Sequence, residues 1–158
     1  MAARARPKQS AGILVYRLRA TGLDVLLVHP GGPFWAKKDD GAWFIPKGEI
    51  EPGEQPWTTA QREFREELGM DPPAGEAREL GTVKNKGGKL IYAWALAGDL
   101  DLSGFVSSSF ELEWPPRSGK LRAFPEVDRA QYFAVDLAVH KMHPAELPLL
   151  ERLLRELS

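Results

Sequence analysis

Between Pro56 and Leu68 the chain is committed to one kind of element. Trp57, Ala60, Phe64 and Leu68 form one stripe at helical spacing, proline is tolerated in the first turn, and Gly69 can close the helix in a left-handed cap. The same spacing puts Glu63, Glu66 and Glu67 at i, i+3 and i+4, so three carboxylates share one face. Each like-charge contact of this kind costs an isolated helix about 0.2–0.5 kcal/mol. One reading is a solvated acidic face interrupted by Arg62 and Arg65. The other is a cation seated above the face, and Mg²⁺ suits it because it takes carboxylates, waters and phosphate oxygens together.

The flanking segments predict strands. Ala11 to Leu18 and Leu23 to His29 are β-rich and alternate, joined by a turn at Ala20 to Gly22. A loop rich in Gly, Pro and charge runs from Pro30 to Gly41, Ala42 to Pro46 reads as a short strand stopped by proline, and Gly48 to Gly53 as an exposed loop. Glu79 to Asn85 and Lys89 to Ala97 form a hairpin split by Gly87-Gly88, with further strands at Phe110 to Trp114 and Arg129 to Val135. Leu147, Leu150, Leu153, Leu154 and Leu157 predict a closing amphipathic helix. This order does not alternate regularly, so the fold class is α+β with a mixed β-sheet between helices. Ser103 to Ser109 and Pro115 to Gly119 read as surface loops able to close over a ligand.

At 158 residues the chain has the length of a single domain, 1–158, with residues 1–9, carrying Arg4, Arg6 and Lys8, as a flexible tail. Lys plus Arg number 21 against 22 Asp plus Glu, so there is no overall basic footprint and nucleic acid is an unlikely partner. The lack of cysteine excludes disulfides, thiolate metal sites and a cysteine nucleophile, and suits a cytoplasmic chain. No apolar run approaches the roughly 18 residues of a membrane span. His29, His140 and His143 lack a third neighbour at ligand spacing and read as surface or packing residues. Asp39 and Asp40 read as loop-solvating.

Gly48, five residues, Glu54, seven residues, then Arg62-Glu63-Phe64-Arg65-Glu66-Glu67-Leu68-Gly69-Met70 matches the Nudix box throughout, and the chain is identified as resembling the Nudix hydrolases. The resemblance implies an α/β/α sandwich and a metal-dependent pyrophosphohydrolase using Mg²⁺ or Mn²⁺. Glu63, Glu66 and Glu67 then bind metal, Gly48 lends its carbonyl, and Arg62 and Glu54 orient the ligands. Water is the nucleophile, and Glu66 and Glu63 are the box candidates for its base. Glu126, in Phe124-Pro125-Glu126, resembles the glutamate outside the box that completes the metal set in several relatives; Glu111 and Glu113 compete with it, although they alternate as an exposed strand face would.

The expected substrate is a dinucleoside polyphosphate or nucleoside triphosphate. Pro46-Lys47-Gly48 resembles the entry of diadenosine tetraphosphate hydrolases, where Lys47 could grip a distal phosphate. Lys84 and Lys86, beside Lys89, could reach a polyphosphate from their hairpin or form a solvated turn. Phe34, Trp35 and Trp43 could stack a base or serve as core or lid. Two departures matter: no tyrosine lies within Lys86 to Gly88, the nearest being Tyr92, and Asn85 stands near where many ADP-ribose members have proline. The alternatives are a non-catalytic nucleotide-sensing module and an RNA 5′-pyrophosphohydrolase. The leucine stripe near the C-terminus is compatible with a homodimer.

Overall fold

The computed structural model describes residues 8–158, so Arg4 and Arg6 of the expected tail lie outside the described residues. The elements are β1 (Ser10–Arg19), β2 (Gly22–Pro30), β3 (Lys47–Glu49), α1 (Pro56–Leu68), β4 (Arg78–Lys84), β5 (Leu90–Ala97), β6 (Ser109–Glu113), β7 (Leu121–Pro125), β8 (Val127–Ala134), α2 (Val135–Lys141) and α3 (Leu147–Leu157). The main sheet runs β4-β5-β1-β2-β8, with β3 added to β1. β1 pairs parallel with β5 and antiparallel with β2 and β3, which makes the sheet mixed.

Alternation along β1 sorts its side chains between two layers. Ile13 and Val15 pack with Ala60, Phe64 and Leu68 of α1, whereas Leu14 and Tyr16 pack with Leu149, Leu150 and Leu153 of α3. A sheet buried on both faces has near-continuous apolar strands, which is how β1 reads. The core-facing leucines of α3 leave Leu154 partly exposed. No helix of the described residues is long and apolar enough to cross a membrane.

The sheet also explains where the functional loop enters. β1 and β2 pair only from Tyr16↔Val25 to Arg19↔Gly22 and then part. Into that gap comes the segment leading to α1: Phe44 bridges Val28, the Pro46 carbonyl accepts from the Ile13 N–H, and Lys47–Glu49 pairs with Ser10–Gly12. The expected strand at Ala42 to Pro46 therefore exists only as bridges, and the start of the expected Gly48 to Gly53 loop is strand. Proline cannot donate to the ladder, so regular pairing begins after Pro46. Ahead of β1, the exposed Lys8 lies 3.5 Å from Glu49 and the Gln9 carbonyl accepts from the Ile50 N–H.

β7 and α2 were not anticipated. β7 pairs with β6 as a separate two-stranded sheet and is exposed on most positions, so it carries no apolar alternation. Seven-residue α2 buries only Ala138, too little for a periodic signal. The β6–β7 hairpin leans on the loop after β2: Phe110 lies against Gly32, Phe34 meets Trp114 edge-on at 5.7 Å, and the Gly31 N–H donates to the Glu126 carbonyl.

At the end of α1, Gly69 adopts φ 68° and donates to the Arg65 carbonyl. A Cβ there would stand 2.4 Å from the Val106 carbonyl oxygen. Gly69→Ala should destabilise the chain by about 2 kcal/mol or more, because a left-handed alanine is strained and also meets fixed backbone. Urea unfolding followed by circular dichroism measures this.

Candidate active site

Arg62 is the hub that joins the loop to α1. Its Nε and Nη2 donate to the two oxygens of Glu54, each at 2.9 Å, and Nη2 also reaches the Glu49 carbonyl at 3.2 Å. Its Nη1 donates to Glu63 at 2.8 Å and lies 3.3 Å from both oxygens of Glu66. Glu54 accepts in addition from the Thr59 hydroxyl at 2.5 Å and the Glu51 N–H at 3.2 Å. Such a two-pronged guanidinium–carboxylate pair fixes direction as well as distance.

These bonds separate the carboxylates electrostatically. Arg62 and then Thr59 hold the Glu54 carboxyl down at about 2, against an ordinary 4.5. Burial pushes Glu67 well above the usual range, with Glu63 and Glu126 adding repulsion and Lys47 pulling it back. Burial likewise raises Glu63, opposed by Arg62, and raises Glu126, with Glu66 adding to it. Three acidic groups thus resist ionisation where they stand.

Gly48 explains how Glu63 fits. A Cβ on Gly48 would lie 1.9 Å from the Glu63 carboxyl carbon, so only glycine leaves room for that carboxylate against β3. Lys47, Gly48, Glu49, Glu51, Glu63, Glu66, Glu67, Ser108 and Glu126 line one acidic cavity of about 440 Å³. Glu126 enters it because its N–H donates to the Ser108 carbonyl, and the Ser108 N–H donates to the Glu66 carbonyl at the end of α1. Among the described residues no three His, Cys, Asp or Glu side chains are gathered closely enough to hold a metal ion as they stand. Arg62 occupies Glu63 and Glu66, and mutual repulsion opposes closer approach. The donor set nonetheless fits a hard cation: oxygen ligands only, a carboxylate-sized cradle at Gly48, and carboxyls disfavoured as anions without a positive partner.

An adjoining pocket of about 210 Å³ shares Lys47, Glu67 and Glu126 with the acidic cavity and adds Val28, Pro30, Trp35, Phe44, Ile45 and Val127. Trp35 and Phe44 meet edge-on at 5.5 Å in its wall. Trp43 does not belong to it, which corrects the expectation that it stacks a base. It is 2% exposed, packs against Phe133 at 4.8 Å and His29 at 5.3 Å, and its Nε1 donates to Asp39. Adjacent side chains on extended backbone point to opposite sides, so with Trp43 in the core it is Phe44 that faces the pocket. Phe44, the next residue in the chain, was not singled out in the sequence.

Of the other candidates, Phe34 is exposed against Trp114 and lines neither cavity. Lys84 and Lys86 line a separate cleft with Asn85, His143, Pro144 and Ala145, and His143 stacks on Phe44 at 5.1 Å. Glu111 and Glu113 are exposed on β6 and line neither cavity. His29 is fully buried between Asp128 and the Lys38 carbonyl, each at 2.7 Å, which is a packing role. Asp39 does more than solvate its loop, holding Trp43 and Lys141. Glu146 was missed altogether: 1% exposed, it accepts from the Ile45 N–H at 2.8 Å and faces Lys47 Nζ at 2.6 Å. Its partners lie about a hundred residues earlier, so nothing local marks it.

The lowered Glu54 carboxyl has a definite sign. A group held below its unfolded value stabilises the fold fully above that value and loses the contribution as pH falls through the folded one. The advantage of the wild type over Glu54→Gln in thermal melting should therefore be complete near neutrality and shrink between pH 4.5 and about 2. A constant gap across that window would contradict the Arg62 pairing.

The chain matches the NUDIX domain family over residues 6–153. Among solved structures it is similar to an Ap4A hydrolase of C. elegans in a binary complex, at TM-score 0.65 and 21% identity, covering 94% of this chain and 97% of that one. It is also similar to the NUDIX domain of Shewanella oneidensis NrtR complexed with ADP ribose, at TM-score 0.67 and 16% identity, covering 98% and 91%. A MutT protein from Methanosarcina mazei Go1 aligns at TM-score 0.58 and 19% identity, covering 98% of each chain. No curated protein matches by sequence. At these identities the structures speak for the fold, while the family match spans nearly the whole length, and on it the chain belongs to the Nudix hydrolase family.

Proposed function

We propose that the chain, acting as one domain, hydrolyses a phosphoanhydride bond of a nucleoside polyphosphate, with dinucleoside polyphosphates and nucleoside triphosphates as the favoured substrates. The observation that carries this reading is the shared rim of the two cavities: Lys47, Glu67 and Glu126 stand between a carboxylate-lined space and a pocket walled by Trp35 and Phe44. A diphosphate fits the acidic side only with cations, and a planar base suits the aromatic side.

Glu63, Glu66, Glu67 and Glu126, with the Gly48 carbonyl, would hold Mg²⁺ or Mn²⁺. Such ions supply neutralisation of the phosphate charge and a bound water of lowered pKa. The chain's own residues do the rest. Arg62 and Glu54 keep β3 and α1 in register, so the carboxylates present fixed directions. Glu66, held by Arg62 only at 3.3 Å and more exposed than Glu54 or Glu63, would take a proton from the attacking water. Lys47 directs N–H donors at a phosphate, and Trp35 with Phe44 receives the base. Lys84 and Lys86, in their own cleft beyond His143, would meet the far phosphates of a longer substrate.

Incubation with Mg²⁺ and a panel of diadenosine polyphosphates, nucleoside triphosphates, ADP-ribose and sugar nucleotides in ¹⁸O-water identifies the substrate class and the phosphorus attacked. Tight nucleotide binding without turnover of any panel member would overturn the hydrolase reading in favour of a sensing module. Glu66→Gln should leave the thermal midpoint near wild type and cut turnover by about a hundredfold or more. Mg²⁺ should raise the melting temperature of the wild type, since it binds the folded state. Glu67→Gln, which removes a carboxylate that burial disfavours, should be at least as stable as wild type without metal and gain less from Mg²⁺. Differential scanning fluorimetry across a Mg²⁺ titration reads both effects.

A further inference from the structure

We propose that Glu146 is a positioning residue: it fixes the Lys47 ammonium on the rim between the acidic cavity and the aromatic pocket, where that ammonium meets a substrate phosphate. The inference rests on the reading of Lys47 as a phosphate ligand given above. Glu146 lies in the turn between α2 and α3 and is 1% exposed. One of its oxygens accepts from the Ile45 N–H at 2.8 Å, and the other lies 2.6 Å from Lys47 Nζ. Among the described residues Lys47 is the one cation within ion-pair distance of it.

A buried carboxylate is tolerated only when its charge is compensated. If Lys47 swung into solvent, Glu146 would keep the Ile45 N–H on one oxygen and have no positive charge facing the other. The cost of that state holds the ammonium in place, 4.3 Å above the Phe44 ring. The contact is an ion pair without hydrogen-bond geometry, so the N–H donors of the ammonium remain to point at a phosphate oxygen. The pair carries no net charge. Lys47 therefore adds direction rather than a long-range field to a cavity lined by carboxylates, and the rate benefit of a held group comes from its being in position beforehand.

The experiment is a double-mutant cycle on the full chain. Glu146→Gln keeps the acceptor for the Ile45 N–H and nearly the same volume but removes the charge, while Lys47→Met removes the ammonium. Glu146→Gln should lower kcat/KM by about tenfold, mainly through KM. The double variant should be no worse than Lys47→Met alone. It should also melt higher than Lys47→Met, because it no longer buries an unpaired charge. Lys47→Arg, which keeps charge but moves the donors, should lose kcat/KM too, and it keeps the idea testable if Glu146→Gln folds poorly. The same cycle is read in the calorimetric dissociation constant of adenylyl imidodiphosphate with Mg²⁺, a readout independent of turnover.

Wild-type kinetics and affinity in Glu146→Gln, additive losses in the double variant, or a wild-type Lys47→Arg would overturn the positioning role and leave Lys47 as a phosphate ligand. A wild-type Lys47→Met would instead overturn the reading of Lys47 itself, and the role of Glu146 with it.

Discussion

Glu63, Glu66, Glu67 and Glu126 face a single cavity and repel one another, and the site exists because a few donors hold them without neutralising them all. Arg62 is the chief of these. It spans the loop carboxylate Glu54, the helix carboxylates Glu63 and Glu66, and the Glu49 backbone, so one guanidinium sets the angle between α1 and the strand that faces it. Glu67 lies outside its reach, and burial raises its carboxyl instead. The result is a graded set in which Glu54 is firmly anionic and structural, while Glu67, Glu63 and Glu126 gain from an added positive charge.

A second buried pair does for the entry strand what Arg62 does for the helix. Glu146 holds Ile45 by its backbone and Lys47 by its ammonium, so the segment inserted between β1 and β2 is anchored from the α3 side of the sheet as well as from the α1 side. Phe44, which precedes the anchored Ile45 and lies beneath the Lys47 ammonium, lines the pocket with Trp35. The aromatic wall and the carboxylate set are thus placed by the same short stretch of backbone.

Much of this was legible in the sequence because it is local. The periodicity of Trp57, Ala60, Phe64 and Leu68, with Pro56 and Gly69 as boundaries, matches α1 to the residue, and the carboxylate spacing follows from it. β1, β2, β4 and β5 appeared within one or two residues, since their runs are apolar and bounded by glycine turns. The assignment of Trp43 to a stacking role failed on parity: nothing in Trp43-Phe44 says which ring faces outward until the strand is fixed against its neighbours. Glu146 was invisible because its meaning depends on partners across the sheet. β7 was hidden because its pairing with β6 lies off the core and needs no alternation.

The insertion between β1 and β2 also bears on the order in which the molecule can be made. The ladder that receives Lys47–Glu49 belongs to a strand whose other edge is closed by residues 91–97, some eighty positions along, and the Ile45 backbone is tied down by a residue 101 positions away. Contacts at such separations form late, because the entropy of closing the intervening chain must be met first. A growing polypeptide can form α1 with its acidic face long before it can seat that helix against a completed entry strand. The geometry of the entry strand and its cavity is therefore acquired near the end of folding, as a property of the whole chain and not of the motif that announces it.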